Sequence, residues 1–371
     1  MNKSYKILIS PLEWGLGHAS RMIPLASKLQ QMGNDVFIAS GKEHLSLFKS
    51  EVPGLTYIHF PGFKPGYSRL FPQYLVILFK IPVLIFHIVS EHQRLKKIIR
   101  ENAIDIVISD NRFGLWNSTI TSVYLTHMPL IPFPSPFKFM EPVGVALHRK
   151  IIRKYSLCFI PDLPGDINLS GRLSHGIKLP DNVRYIGILS KFTTSENLHT
   201  IITKGYHHNT VILSGPEPQK GILKQKLIPI LRENEIPAII FEGKPENRRE
   251  IAVNGNITFY SHLPAQEMRV LIESSNKLIT RSGYTTIMEL ASLNCRALII
   301  PTPGQTEQEY LAIYLSEKGW FDTISQGKIK KGMIISTGKP VFPDSINQES
   351  RVLLNAALNE MLEKSHKESQ T

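Results

Sequence analysis

Short strand-forming runs alternate with helical segments along most of the 371-residue chain, and this alternation restricts the fold more than any other feature. YKILIS, DVFIAS, LTYIHF, IDIVISD, SVYLTH and LCFIPD fall in the first half; TVILSG, PAIIFEG, ITFYSHL, KLITRSG and RALIIP form a second series. Between the first two runs, Met22, Leu25, Ala26, Leu29 and Met32 recur at helical spacing, and Gly33 is placed to stop the helix. Strands joined by helices enforce right-handed crossovers and parallel sheets. The chain is also too long for one ordinary core. A break in rhythm near 188–206 divides it into two α/β domains, 1–190 and 205–345. Residues 346–371 follow as an amphipathic helix with a charged, fraying tail.

Composition narrows the partners. Charged residues make up 20% and hydrophobic residues 42%, which is globular and excludes wholesale disorder. Cys158 and Cys295 are too few for a disulfide framework and lack zinc-ligand spacing, so each reads as a small buried hydrophobe in a reducing compartment. The N-terminus carries Lys3 and Lys6, but its apolar run ends too soon for a secretory signal; a cytoplasmic address is expected. The net charge of +12 calls for anionic partners, and basic residues gather at 94–100, 148–155 and 328–331. No nucleic-acid-binding motif accompanies them, which argues against nucleic acid and leaves phosphorylated substrates or an anionic membrane surface. The apolar run LFPQYLVILFKIPVLIFHIV, residues 70–89, is broken by Pro72, Lys80, Pro82 and His87 and falls short of a spanning helix. Two readings stay open. It is a buried core helix, or an interfacial element whose Leu75, Leu78, Phe79 and Phe86 enter a headgroup layer beside RLKKIIR.

Chemistry concentrates at strand ends. EWGLGHASRMIPLASKLQ, residues 13–30, sets Gly15, Gly17 and His18 in a tight turn after the first strand, where ligands of open α/β sheets bind. Histidine titrates near neutrality and suits a general base. Asp110 ends another strand and is either a rival base or the group that orients His18; His127 ends the next. In RSGYTTIMELASLNCRALIIPTPGQTEQEYLA, residues 281–312, a strand ends at Ser282–Gly283 and a helix opens at Tyr284, Thr285 and Thr286, which suits a diphosphate. Glu289 lies further along the helix, where its spacing alone reads as an ordinary exposed glutamate although a carboxylate there could accept ribose hydroxyls; Gln305, Thr306, Gln308 and Glu309 form a polar set suited to sugar hydroxyls. Lys191, in the linker, is a candidate phosphate contact. No Asp-x-Asp occurs anywhere, so the paired carboxylates of metal-dependent sugar transfer are absent and no metal site is expected.

In this combination the chain resembles the GT-B glycosyltransferases. Within them it resembles the family 28 type that transfers N-acetylglucosamine to lipid I in peptidoglycan synthesis. The likeness rests on Gly-Leu-Gly-His near the N-terminus and on the later series of Ser-Gly, Glu, Pro and Gln. It implies two Rossmann-like domains whose parallel sheets face across a cleft. It also implies inverting, metal-independent transfer from a UDP-sugar, UDP-N-acetylglucosamine among the candidates, to a lipid-linked or other saccharide acceptor. The nucleotide-sugar is then a substrate and no cofactor is needed. The resemblance gives Glu289 the ribose, Ser282 to Thr286 the diphosphate and Gln308 the donor sugar. It sets Ser214 and Gly215 at a second phosphate-facing turn and Leu263 near the uracil. A peripheral station on the inner face of the cell membrane follows from such an acceptor. Two departures bear on specificity: Gln308–Glu309 stands where the family pairs glutamines, and Trp14 and Leu16 interrupt the first turn. A sugar-nucleotide hydrolase or epimerase of the same fold, or a non-catalytic nucleotide-sugar binder, are the alternatives.

Overall fold

The computed structural model describes residues 4–64, 66, 75–76, 79–193, 208–215, 217–233, 236–245, 251–330, 342–343 and 345–368. Leu78 and Pro72 of the apolar run, most of the linker after 193 and Lys331 of the third basic cluster lie outside them. Strands β1 (Lys6–Pro11), β2 (Asp35–Ser40), β3 (Thr56–His59), β4 (Ile106–Asp110), β5 (Thr121–Leu125), β6 (Leu157–Ile160) and β7 (Val183–Tyr185) form one parallel sheet, ordered 3-2-1-4-5-6-7. Strands β8 (His208–Ile212), β9 (Ala238–Phe241), β10 (Ile251–Asn254), β11 (Ile257–Tyr260), β12 (Ser275–Thr280), β13 (Leu298–Ile299) and β14 (Asp322–Thr323) form the second, ordered 10-11-9-8-12-13-14. It is parallel except where β10 runs against β11.

Central strands read as unbroken apolar runs because both their faces are covered. Ile7, Leu8 and Ile9 of β1 and Ile106, Val107 and Ile108 of β4 are fully buried, each side chain stabilising the fold by roughly 1.5–3 kcal/mol. The covering helices of the first domain include α1 (Leu16–Gln31), α2 (Lys42–Glu51), α3 (Ile81–Asn102) and α4 (Glu141–Ile152). Those after β8 are α5 (Gln219–Glu233), α6 (Ala265–Glu273), α7 (Tyr284–Ser292), α8 (Thr306–Glu317) and α9 (Ile346–Glu368). Helix α1 buries Met22, Leu25, Ala26 and Leu29, four of the five positions its periodicity marks. Cys158 is fully buried, whereas Cys295 is only partly covered.

The last helix departs from expectation. Instead of standing as a separate tail, α9 crosses back and packs on β5 and β7 of the first sheet. Arg184 pairs with Glu360 at 2.8 Å, Thr121 Oγ1 donates to Glu368 Oε2 at 2.6 Å, and Ile188 N–H donates to Ser350 Oγ at 3.0 Å. It stays helical to Glu368, because the residues expected to fray are held by the first domain.

For the apolar run, where two readings stood open, the described residues do not form a buried core helix. Among the described residues no helix is long and apolar enough to cross a membrane. The start of α3 is nevertheless not core: Phe79 is 79% exposed and Phe86 71%, with Val83, Ile85 and Val89 also exposed. Further along the same helix, Leu95 is buried. Helix α4 exposes Val143 and Leu147, and Phe139 just before it is 76% exposed. Both helices flank the loop after β4, where Trp116 stacks on His92 and lies under the Lys154 ammonium.

Candidate active site

Each sheet reverses its strand order once, between β1 and β4 in the first and between β8 and β12 in the second. Doubly wound sheets bind ligands outside the strand carboxyl ends at such a reversal. Here those ends carry the turn before α1 and Asp110 in one sheet, and Ser214–Gly215 and Ser282–Gly283 in the other. The two reversals meet. Thr285 Oγ1, in the first turn of α7, donates to Gly17 O at 3.0 Å, and Ser20 Oγ of α1 donates to Glu289 Oε1 at 2.6 Å. Beside this contact lies a cleft of about 390 Å³. Glu13, Trp14, Gly15, Leu16, Gly17 and Ser20 line it from the first domain, and Ser214, Gly215, Leu263, Thr285, Thr286 and Glu289 from the second. Lys191, Lys64 and Lys220 add positive charge to the same walls.

Next to the cleft, in the first domain, a charged cluster gathers around Asp110. Gly15 caps α1 at φ +108°, a conformation that other residues rarely adopt, and the chain then enters the helix with His18 in its first turn. One turn on, Arg21 shares that face. The Arg21 guanidinium is buried and grips both oxygens of Asp110, Nε donating to Oδ2 at 2.9 Å and Nη2 to Oδ1. His18 Nδ1 lies 2.9 Å from Asp110 Oδ2 and 2.8 Å from Arg21 Nη2. Burial alone would raise the Asp110 pKa, but the Arg21 charge and His18 outweigh it and hold the carboxylate down to about 2. Asp110 is thus a permanent anion with both oxygens engaged, the geometry of a group that orients an imidazole. Burial pushes the His18 pKa down, Asp110 opposing and Arg21 reinforcing the shift, so a half-buried imidazole stays neutral near neutral pH.

The cluster continues into the second domain. Arg21 Nη1 lies 3.2 Å from His127 Nδ1, and His127 Nε2 lies 2.8 Å from Glu307 Oε1 in the first turn of α8. The His127 ring stacks on Tyr284 with centroids 4.1 Å apart, and Tyr284 Oη donates to Pro161 O. Burial raises the Glu307 pKa, and its interaction and hydrogen bond with His127 more than reverse that, leaving the carboxyl below its ordinary range. Arg21 and Glu307 were not singled out from the sequence. The three-residue spacing from His18 was the available signal for Arg21; Glu307 offered none, being one acid in a polar loop.

The other candidates divide into two groups. Lys191, Ser214, Gly215, Leu263, Thr285, Thr286 and Glu289 are brought together on the cleft walls with Gly15 and Gly17. Burial raises the Glu289 pKa, against the lowering effects of Lys191 and the Ser20 hydrogen bond. His18, Asp110, His127, Ser282, Gly283, Tyr284, Gln305, Gln308 and Glu309 do not line the cleft. Several of these are engaged within the loop they come from. Gln308 Oε1 accepts the Thr302 N–H at 2.9 Å, Glu309 Oε1 accepts the Gly304 N–H at 2.8 Å, and Ser282 Oγ donates to Gln308 O. Helix α8 itself is docked on the first domain, Thr306 Oγ1 donating to Pro132 O and Tyr310 Oη accepting the Arg172 N–H, each at 2.8 Å.

Known proteins supply the context for this geometry. Residues 242–365 match the glycosyltransferase family 28 C-terminal domain, a span that runs on into α9. An uncharacterized glycosyltransferase of Methanosarcina acetivorans is 24% identical over 336 residues, covering 85% of this chain and 84% of its own length. The UDP-N-acetylglucosamine–N-acetylmuramyl-(pentapeptide) pyrophosphoryl-undecaprenol N-acetylglucosamine transferase of Prochlorococcus marinus is 25% identical over 145 residues, 38% of this chain and 40% of that protein. Among solved structures, the glycosyltransferase SnogD from Streptomyces nogalater superposes with a TM-score of 0.55 at 15% identity, covering 99% of this chain and 95% of its own. The two facing Rossmann-like domains are those of the GT-B fold. With that architecture, the family 28 match in its second half and a glycosyltransferase relative along most of its length, the chain is a glycosyltransferase.

Proposed function

We propose that the protein is an inverting, metal-independent transferase that moves a sugar from a UDP-sugar to a lipid-linked or other membrane-proximal saccharide acceptor. The observation that carries this reading is the His18–Asp110 pair beside a cleft shared by both sheet reversals. With Nδ1–H donated to Asp110, His18 Nε2 keeps its lone pair and takes the proton of the acceptor hydroxyl. The freed oxygen attacks the anomeric carbon as the bond to the diphosphate oxygen breaks on the opposite face. UDP departs with its growing charge met by the α7 N-terminus, Thr285, Thr286 and Lys191. Glu289 accepts the ribose hydroxyls, Leu263 lies by the uracil, and Gln308 and Glu309 reach the donor sugar once the loop re-forms around it. The absence of Asp-x-Asp supports the metal-independent form. The named donor of the Prochlorococcus marinus relative makes UDP-N-acetylglucosamine the first to test. Thermal stabilisation across UDP- and dTDP-sugars identifies the donor, since a bound ligand raises apparent stability by mass action. Full-rate hydrolysis of that donor without any acceptor would overturn transfer in favour of a hydrolase.

The acceptor's membrane setting rests on a separate observation. The exposed Phe79, Val83, Ile85, Phe86 and Val89 lead directly into Arg94, Lys96, Lys97 and Arg100 on α3, all exposed. Apolar residues entering the headgroup layer beside basic ones, each adding ~1 kcal/mol on an acidic leaflet, give reversible attachment on the inner face of the cell membrane. Co-sedimentation with anionic liposomes at low and high salt tests this. The wild type pellets at low salt, and the variant with these four residues changed to Gln stays in solution. Equal behaviour of the two sinks the membrane station and leaves the transferase reading standing.

A further inference from the structure

Glu13 opens the stretch that carries the first glycine turn and is one of the buried first-domain side chains on the cleft wall. It lies between β1 and α1, is 6% exposed, and lines the cleft. Its two oxygens have different fates. Oε1 accepts the Gly41 N–H ahead of α2 and faces the Ser40 hydroxyl at 3.2 Å. Oε2 is buried and accepts no hydrogen bond; its nearest positive charge is the mostly exposed Lys64 ammonium, at 3.7 Å. A buried carboxylate oxygen left without a donor costs free energy that folding alone gives no reason to spend.

The surroundings are shaped to keep it there. A Cβ at position 41 would stand 2.8 Å from both carboxylate oxygens, so a larger residue there would push the carboxylate off the Gly41 N–H. Beneath it, His44 faces Gly15 O through Nε2 and Ser40 Oγ through Nδ1, each at 3.1 Å. Burial pushes the His44 pKa down to about 4, so near neutral pH the ring carries one N–H. That proton must serve Gly15 O, which can only accept, and Nδ1 then competes with Glu13 for the single Ser40 hydroxyl proton. The internal donors for Glu13 are therefore one backbone N–H and a shared hydroxyl, both on Oε1.

We propose that Glu13 Oε2 is a binding group for the acceptor, taking a hydrogen bond from a hydroxyl of a saccharide next to the one that reacts. The ligand class follows from the atom: a carboxylate oxygen without a donor takes a hydroxyl O–H, which a saccharide supplies, and the Lys64 ammonium 3.7 Å away balances its charge. The assignment rests on the transferase reading, with the acceptor held by the first domain.

Transfer from UDP-N-acetylglucosamine and UDP-glucose to octyl glycosides tests it, comparing wild type with Glu13→Gln. The amide oxygen still serves Gly41 N–H, while its NH2 replaces the accepting Oε2. The KM for the glycoside should rise ten- to a hundredfold, the range for loss of a hydrogen bond to a charged group, with UDP affinity by calorimetry and melting temperature unchanged. An unchanged KM in a natively stable variant overturns the proposal, as does a UDP affinity that falls in step with KM. If the variant does not fold, monodeoxy glycosides on the wild type replace it. One missing hydroxyl should cost about tenfold in KM, and a flat response across the series overturns the assignment. A wild type that binds UDP yet transfers to no glycoside overturns the saccharide-acceptor reading itself, and the role of Glu13 with it.

Discussion

The chain builds the same device twice and equips the copies differently. β1 runs into α1 through Leu-Glu-Trp-Gly, and β12 runs into α7 through Arg-Ser-Gly; each turn lies at its sheet's reversal and each helix start meets the other. The α1 copy carries titratable groups, His18 and Arg21, gathered on Asp110. The α7 copy carries hydroxyls, Thr285 and Thr286, with Glu289 one turn further in. The backbone device is shared, so on the proposed reading it is the side chains that assign chemistry to one place and the nucleotide to the other. The contrast also separates two kinds of damage. Change in the first copy should strike turnover, and change in the second should strike binding.

The sharpest way to break that contrast is His18→Ala. Turnover should fall by about 10²–10⁴-fold while UDP affinity stays within twofold. Survival of turnover would make both copies binding devices. The same residue fixes a pH profile. Its neutral form is the base, and burial depresses its pKa, so kcat is flat at neutral pH and is lost as pH falls through a value below 6.5. An acid limb at or above 6.5 would contradict the assignment. Next in size is Glu289→Ala. Losing a hydrogen bond donated to a charged group, roughly 1.5–3 kcal/mol, weakens UDP about ten- to a hundredfold by calorimetry. A drop in kcat with unchanged UDP affinity would erase the division between the copies. The smallest effect belongs to Glu307→Gln, which keeps a hydrogen-bond partner for His127 but removes the charge joining the two domains. It should cost about two- to tenfold in kcat/KM. No change there would show that the base cluster functions without its link to α8.

The alternating runs made most of the architecture readable, because a strand buried on both faces advertises itself as an apolar block. The strands that escaped are those without such a block. β7 has three partly buried residues, β14 has two residues, and β10 is an exposed antiparallel edge. Amphipathicity told that 346–368 is a helix but not which domain its apolar face would find, and it found the first. At the site, the helix starts after β1 and β12 were legible because each follows an apolar strand run and a glycine. Glu13, Arg21 and Glu307 were not, since a lone charged residue has no period and its meaning lies in what the fold brings near it. Gln308 and Glu309 were readable as polar loop residues, while their engagement of the Thr302 and Gly304 N–H groups was not.

The return of α9 also governs how the halves can swing. The polypeptide passes between them twice, once leaving the first sheet after β7 and once coming back ahead of α9. The two passages are fastened to each other where Ser350 Oγ receives the Ile188 N–H, and to the second domain where Asn347 Nδ2 donates to Ser292 O at 2.8 Å. A single tether would let the halves tumble freely about a point. Two tethers clasped side by side act like the leaves of one butt hinge, permitting a gape about their common axis while resisting twist. Each opening would then return Thr285 to Gly17 and Glu289 to Ser20 in the same register, so the accuracy of alignment is set where the two passages are clasped and not by the cleft walls alone.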